Sequence, residues 1–350
     1  MNDMQKQTRI AWLDIMRGIL MITIVIGHVF TDGMLRRWVF SFHVPAFFFL
    51  SGFCFHYTEC FKSFLLKKTR TIVLPYFFFS IISILIVWCG SIIIPSLTDI
   101  LECSPFKNIL IMLYGNSKPE VMRYNLPLWF LPCLFITTLF GYGTETLALR
   151  LGQAAKLILI VIFVVLGTFV SVHENIALPW HIETACSMAV WFILGSIAKK
   201  ARIAEKIKNP RLIPIWVLCV FAGGLLSAIN TKTVGVRNDN YGVIPIYYGA
   251  AIMGTAGICG LAICINQCRV LQYIGKNSLI ILGLHKFPIL LFQEMVPVTQ
   301  RLLMKPDSLK GLMIGIAVMI VSIGFSLIVG FFINKYAPWM VGQLSAKREK

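Results

Sequence analysis

The sequence predicts an all-α fold, a polytopic membrane bundle of about ten transmembrane helices with both termini in the cytoplasm, and three observations carry that prediction. Apolar residues make up 57% of the 350 residues and charged residues 13%, with a mean hydropathy of +0.79, a balance found in membrane proteins and not in soluble ones. Apolar runs fall at 10–31, 39–57, 72–95, 125–147, 156–173, 178–198, 212–230, 243–266, 271–293 and 311–335; each is near the roughly 20 residues that a spanning helix needs. An even number of crossings puts both termini on one side. With that side cytoplasmic, twenty of the 32 Lys and Arg lie in inside segments and ten in outside loops, Arg17 and Lys286 being within helices, so the termini belong in the cytoplasm.

The net charge of +17 is explained by basic loops facing an anionic inner leaflet. No nucleic-acid partner is expected, since no nucleic-acid motif is present. The first run is too long, and too interrupted by Asp14 and Arg17, for a cleaved signal peptide, and is expected to stay as an anchor. The ten cysteines are scattered singly, and Cys259, Cys264 and Cys268 lack the paired spacing of a zinc site, so no metal is expected. With no repeat of fixed period and no low-complexity linker, residues 1–350 read as one membrane-embedded domain with no appended soluble domain.

The first run, IAWLDIMRGILMITIVIGHVF, carries Asp14, Arg17 and His28. A charged residue near the middle of a span costs at least about 2.5 kcal/mol, so these residues need a reason. Arg17 and His28 are eleven residues apart, which places them on one helix face about 16 Å apart along the axis. Asp14 lies one turn before Arg17 and can pair with it. The plain alternative is an ion pair at the membrane interface and a histidine hydrogen-bonded to a neighbouring helix.

In the second run, WVFSFHVPAFFFLSGFCFHY, Ser41, His43, Ser51 and His56 interrupt an aromatic wall, and Pro45 removes a backbone hydrogen bond. If the first two helices are antiparallel, His43 and His28 fall in the same half of the membrane and could share a cavity. The basic stretch with Lys62, Lys67, Lys68 and Arg70 is a positive-inside anchor by default, and it also suits the phosphates of an anionic cofactor arriving from the cytoplasm. Trp129 is expected near the outer interface, in the manner of an aromatic belt. Glu183, beside His181, lies about one turn inside the sixth run, where it is either hydrated at the interface or turned to the bundle interior. The loop TKTVGVRNDNYG is polar enough to touch a hydrophilic substrate, and in the ninth run His285 and Lys286 lie near mid-membrane, where the lysine must snorkel, pair or line water.

Several of these stretches together resemble the membrane-bound acyltransferase-3 family, which acylates sugars and related surface molecules. RGILMITIVIGH has the family's spacing of an arginine, ten residues and a histidine; FSFHVPAFFFLSGF resembles its second-helix signature; KKTRTIVLP resembles its basic stretch, with Arg70 and Pro75 matching and lysines where arginine is common. LPLWFLPCLF, LPWHIETACSMAVWFILG and YIGKNSLIILGLH look most like the branch named for fucose 4-O-acetylation. Glu183 and His181 stand where that branch often has Asp and Ser, and Lys286 follows His285 where an apolar residue is usual, departures that bear on acceptor identity more than on the reaction.

The resemblance implies a membrane O-acetyltransferase in the inner or plasma membrane of a bacterium. Its acyl donor would be acetyl-CoA and its acceptor a sugar or glycan, possibly lipid-linked, with the lipid bilayer as its surroundings. His28 is suited to act as general base, because a neutral imidazole is matched to proton transfer at physiological pH. Arg17, held by Asp14, cannot lose its proton and is suited to an anionic or carbonyl oxygen of the donor. Acyl-CoA, threading its pantetheine arm up one shaft, could touch both. Lys67, Lys68 and Arg70 are then candidates for the nucleotide phosphates, with Ser51 beside the donor, and His43, Trp129, Glu183, His181 and His285 for the substrate cavity. The alternative is a secondary transporter or flippase for a glycolipid or small solute, against which the halves show no repeat symmetry and no paired interrupted segments.

Overall fold

The computed structural model describes residues 10–94, 97–100, 102–118, 121–173, 175–294, 296–303 and 308–342. Lys6, Arg9, Lys305, Lys347, Arg348 and Lys350, counted above in the charge balance, lie outside the described residues. Among the described residues the regular secondary structure is helical apart from one isolated bridge between Gly235 and Asn240, as the all-α class requires.

The helices α1 (Ala11–Val29) and α2 (Met34–Phe53) are followed by α3 (Phe61–Lys68), which runs through a π-helical turn at Thr69–Val73 into α4 (Leu74–Ile93). The short α5 (Leu97–Ile100) and α6 (Pro105–Tyr114) lead to a 3-10 turn at Leu126–Trp129 that opens α7 (Phe130–Leu151). Then come α8 (Ala154–Val172), α9 (Ile182–Lys200), the short α10 (Ile203–Lys206), α11 (Ile213–Ile229) and α12 (Ile244–Ile265). The chain ends with α13 (Arg269–Lys276), α14 (Ser278–Leu284), α15 (Lys286–Glu294), α16 (Pro297–Leu303) and α17 (Leu309–Tyr336).

Among the described residues eight helices are long and apolar enough to cross a membrane, and nine if the bent run from Arg269 to Gln293 counts as one. α2 stands at the second expected run but is not among them, because Arg36, Arg37, Ser41, His43 and Ser51 dilute its hydropathy. It is packed between α1, α9, α11 and α12, so those polar groups meet protein. The ninth run is not one straight helix. It bends by 63° after Lys276, and Asn277 satisfies backbone there by donating to the Tyr273 carbonyl at 2.9 Å while accepting from Asn334 at 3.0 Å.

Burial separates an inner set of helices from an outer one. The spanning window of Pro179–Lys200 is 72% buried and that of α1 61%, against 28% for α17, 22% for α8 and 11% for α11. The exposed Leu157, Val161, Leu218 and Phe331 belong to the outer set, where lipid is the solvent. Two glycine crossings draw the inner helices together. A Cβ on Gly18 of α1 would strike the Leu271 carbonyl of α13, and one on Gly275 of α13 would strike the Asp14 carbonyl. Gly52 of α2 and Gly195 of α9 stand in the same relation to the Phe192 and Phe49 carbonyls. Small residues at such points let backbones approach closely, and dispersion over the contact then holds the helices.

Candidate active site

At the N-terminal end of α1, Arg17 Nη1 donates to Asp14 Oδ1 at 3.0 Å, and the aspartate side chain is 2% exposed against 29% for the arginine. The i, i+3 spacing within one helix dictates this contact. The other arm of the guanidinium, Nη2, reaches Cys54 Sγ at 3.3 Å. Arg17 lines a cavity of about 300 Å³ together with Ser51, Cys54 and Lys68, and the remaining wall is largely hydrocarbon from Met21, Ile24, Phe47, Leu131 and Leu282. Lys67 and Arg70 are exposed and lie outside that lining.

At the other end of α1, His28 lines a second cavity, of about 500 Å³. Its wall is rich in polar groups: Asp32 comes from the turn before α2 and Arg36 from its first turn, Thr233, Arg237, Asn238 and Asn240 from the loop before α12, and Lys286 and Gln293 from α15. His43, Phe40 and Trp129 complete it. Lys286 therefore lines a cavity instead of snorkelling to an interface, and Nζ donates to Gln293 Oε1 at 3.3 Å.

Where the sequence suggests a single shaft, the structure has two cavities that share no lining residue. They abut end to end. Ile24 and Gly27 on α1, Phe47 and Val44 on α2, Phe130 and Trp129 at the start of α7, and Leu282 and Lys286 across the α14–α15 junction line one cavity and then the other. The members of each pair are at most four residues apart, so the two linings meet. The partition where they meet is aromatic: Phe47 and Phe130 meet edge to face with centroids 5.8 Å apart, and Phe48 and Trp129 pack on Phe130 at 5.2 and 6.3 Å.

Three histidines gather at this partition. His28 and His285 have ring centroids 5.2 Å apart, and Phe40 lies 6.3 Å from His28 and 5.1 Å from His43. His43 Nδ1 is 2.5 Å from the Val39 carbonyl and His285 Nδ1 is 2.7 Å from the Ile281 carbonyl. A carbonyl can only accept, so both rings donate from Nδ1–H, and in the neutral imidazole that leaves Nε2 as an acceptor. His285 lines neither cavity; it is fully buried beside His28, and its Nε2 has no hydrogen-bond partner.

Glu183 and His181 also differ from the expectation that they line the substrate cavity: they lie behind its wall. Both are buried, Glu183 at 2% exposure, which settles its two alternatives in favour of the interior. Trp180 and His181 both have positive φ, 56° and 54°, a conformation strained for side chains of this size and held here by partners. Ser117 N–H donates to His181 Nε2 at 3.0 Å, His181 Nδ1 contacts Thr184 Oγ1 at 3.3 Å, and Thr184 donates to Asp239 Oδ2 at 3.0 Å. Glu183 accepts from Asn116 Nδ2 at 2.7 Å and from Leu178 N–H at 3.0 Å. Lys118 joins the two acids, bonded to Asp239 and 3.6 Å from Glu183. Trp129, whose ring is 5.2 Å from that of His181, connects this network to the cavity. Burial outweighs Lys118 and raises the Asp239 carboxyl, in its loop, to about 6.

Lys118, Asp239, Arg36 and Arg237 were not singled out as individual residues by the sequence. The loop TKTVGVRNDNYG was, for its polarity, and it supplies Asp239, Arg237 and much of the His28 cavity wall. Among the described residues no group of three or more His, Cys, Asp or Glu side chains is arranged to hold a metal ion.

Fold and cavities define a polytopic helical membrane protein with two interior chambers stacked along its first helix. Compared with known families, residues 10–331 match the acyltransferase-3 family, described as an acyltransferase domain. The chain belongs to that family and is a membrane acyltransferase. No curated protein and no solved structure matches it.

Proposed function

We propose that the chain transfers an acetyl group from acetyl-CoA, bound through the Arg17 cavity, to a sugar hydroxyl bound in the His28 cavity. The observation that carries this reading is the stacking of the two cavities across one helical turn, with a guanidinium in the first and an imidazole in the second. The hydrocarbon wall of the first suits a pantetheine arm, and Arg17 and Lys68 supply cations for anionic or carbonyl oxygens of the donor. Lys67 and Arg70, exposed on the same basic segment, are free to meet nucleotide phosphates in solvent. The positive-inside charge balance supports a cytoplasmic position for this end of α1, on the side where acetyl-CoA is found.

In the transfer, His28 removes the proton from the acceptor hydroxyl, and the oxygen attacks the thioester carbonyl carbon. The C–S bond breaks, and the imidazolium returns the proton to the departing CoA thiolate. His285, whose buried Nε2 lacks a partner, has its ring 5.2 Å from that of His28, and a small rotation of either ring would let it accept the other N–H of His28 and hold that ring in the basic tautomer. Phe47 and Phe130 must part for the thioester to reach His28. The resemblance to the fucose 4-O-acetylation branch supports a bacterial surface glycan or its lipid-linked precursor as acceptor.

The test uses purified protein in lipid nanodiscs with radiolabelled acetyl-CoA, with and without methyl fucoside and other glycosides. Release of CoA thiol and labelled glycoside only when acceptor is present is the expected result. Counterflow of a solute with no thiol released would mean a transporter.

A further inference from the structure

We infer that the adenine ring of the acyl donor lies on an aromatic platform made by Tyr57, Phe61, Phe64 and Tyr142, next to the Arg17 cavity. This rests on the reading of that cavity as the acetyl-CoA site, and it adds a place for the base. Tyr142 of α7 stacks against Tyr57, with centroids 5.1 Å apart and ring planes at 24°, and against Phe64 at 4.6 Å and 27°. Phe61 tilts against Tyr142 at 5.2 Å and against Phe64 at 6.2 Å. The Tyr142 hydroxyl donates to the Thr58 and Glu59 carbonyls at 3.1 and 3.2 Å, which ties the segment between α2 and α3 to α7. Phe64 and Tyr142 are buried while Phe61 is 49% exposed, so the cluster has a fixed interior and an open outer ring.

An exposed ring on a membrane helix usually faces lipid, and the length of this helix argues otherwise. The helical run Phe61–Ile93 has 33 residues, about 50 Å at the α-helical rise, against a hydrocarbon core of about 30 Å. Its four charged residues, Lys62, Lys67, Lys68 and Arg70, all fall in the first ten positions, and residues 71–93 hold none. The surplus length is therefore at the α3 end, which puts Phe61 beyond the hydrocarbon on a basic stem.

Position joins the platform to the donor. Phe61, Phe64 and Lys68 are spaced i, i+3 and i+7 and share one face of α3. Lys68 lines the Arg17 cavity, and its ammonium is 6.0 Å from the centroid of the Phe64 ring. From Phe61 to Lys68 the helix rises about 10 Å. Coenzyme A is built in the same order: a pantetheine arm, then a pyrophosphate, then ribose and adenine. With the arm among Met21, Ile24 and Leu282, the pyrophosphate meets Lys68 and the base reaches Phe61. Every nucleobase has a π-face that stacks on an aromatic ring. Lys62 and Lys67, exposed on the same helix, are cations for the remaining phosphate.

The test measures calorimetric binding of three probes to the protein in nanodiscs: coenzyme A, phosphopantetheine, which lacks the nucleoside, and adenosine bisphosphate, which lacks the arm. Phe61→Ala weakens coenzyme A and the bisphosphate by about 5- to 150-fold, the usual effect of losing one base stack, and leaves phosphopantetheine unchanged. Phe61→Trp keeps the affinity, and Phe61→Leu, apolar but without a π-face, loses most of it. The exposure of Phe61 lets these variants fold. Coenzyme A binding that is unchanged in both Phe61→Ala and Tyr57→Ala overturns the inference, makes these rings interfacial anchors and leaves the donor reading standing. Equal weakening of all three probes overturns it too. Bisphosphate binding that depends on Phe61, with no binding of phosphopantetheine and no acetyl transfer, supports the platform and removes the acetyl-transfer reading alone. Failure of all three probes to bind the unaltered protein removes both.

Discussion

The two cavities along α1 differ in chemistry as much as in position. The Arg17 cavity is walled by Met21, Ile24, Phe47, Leu131 and Leu282, with its polar groups confined to Arg17, Ser51, Cys54, Lys68, Thr71 and Ser278. The His28 cavity adds charged, amide and hydroxyl groups to rings such as Phe40 and Trp129, and residues 233–238 of the loop before α12 line it. A long flexible chain with a charged end fits the first, and a polyhydroxylated ring fits the second. The comparison teaches that one helix lines two cavities of opposite character, with Phe47 and Phe130 in contact where the two linings meet.

The largest effect is expected from removing the base. His28→Ala should lower kcat/KM for acyl transfer by about 100- to 10,000-fold, the usual contribution of a general base, with the protein still monodisperse and helical by circular dichroism. Normal transfer by that folded variant would falsify the assignment. Arg17→Ala should act on the donor side, raising the KM for acetyl-CoA by roughly 10- to 100-fold for the loss of hydrogen bonds to a charged group and leaving the KM for the acceptor unchanged. It also strips the buried Asp14 of an ion-pair partner, so its melting temperature should fall, while Arg17→Lys keeps the charge and recovers part of both.

Phe130→Ala sharpens the comparison in a different way. It opens the partition without touching either polar group, so release of CoA thiol in the absence of acceptor should rise several-fold as water reaches the thioester. Unchanged acceptor-free release would mean that the aromatic pair does not separate the chambers during turnover.

The smallest effect concerns the buried network behind the wall. Asp239 has its carboxyl raised to about 6 by burial, above the ordinary carboxylate value of an unfolded chain. Its contribution to stability is therefore fully present below that ordinary value and is lost as pH rises through about 6. Melting temperature in detergent should climb as pH falls from 7 toward 5, and Asp239→Asn should flatten that climb. An identical slope in the variant would assign the pH dependence to other groups.

Much of α1 was legible because its interactions are local. Asp14 and Arg17 are neighbours by helix geometry alone, and the face shared with His28 follows from the same period. The apolar runs were legible because a bilayer imposes a length on any helix that crosses it. The roles of Glu183 and His181 were not, since their partners Asn116, Ser117 and Lys118 are more than sixty residues away in the chain. Nor was the break at Asn277, where the side chain accepts a hydrogen bond from Asn334 in α17. Trp129 read as a belt residue because an aromatic beside an expected interface usually is one; in the fold it is 7% exposed and lines a cavity.

Composition, run length and charge balance were enough to establish the helical class and the membrane as solvent, because these depend on sums over many residues and on a period that every helix shares. The resemblance of short stretches pointed to acyl transfer, and the family match agrees with it. The division into two chambers, the withdrawal of Glu183 and His181 behind a wall, and the convergence of Arg36, Arg237 and Lys286 were decided by tertiary structure alone. Those features arise where helices and a loop from distant parts of the chain meet, and which cation meets which carboxylate is set by that packing and leaves no trace in the spacing of residues along the sequence.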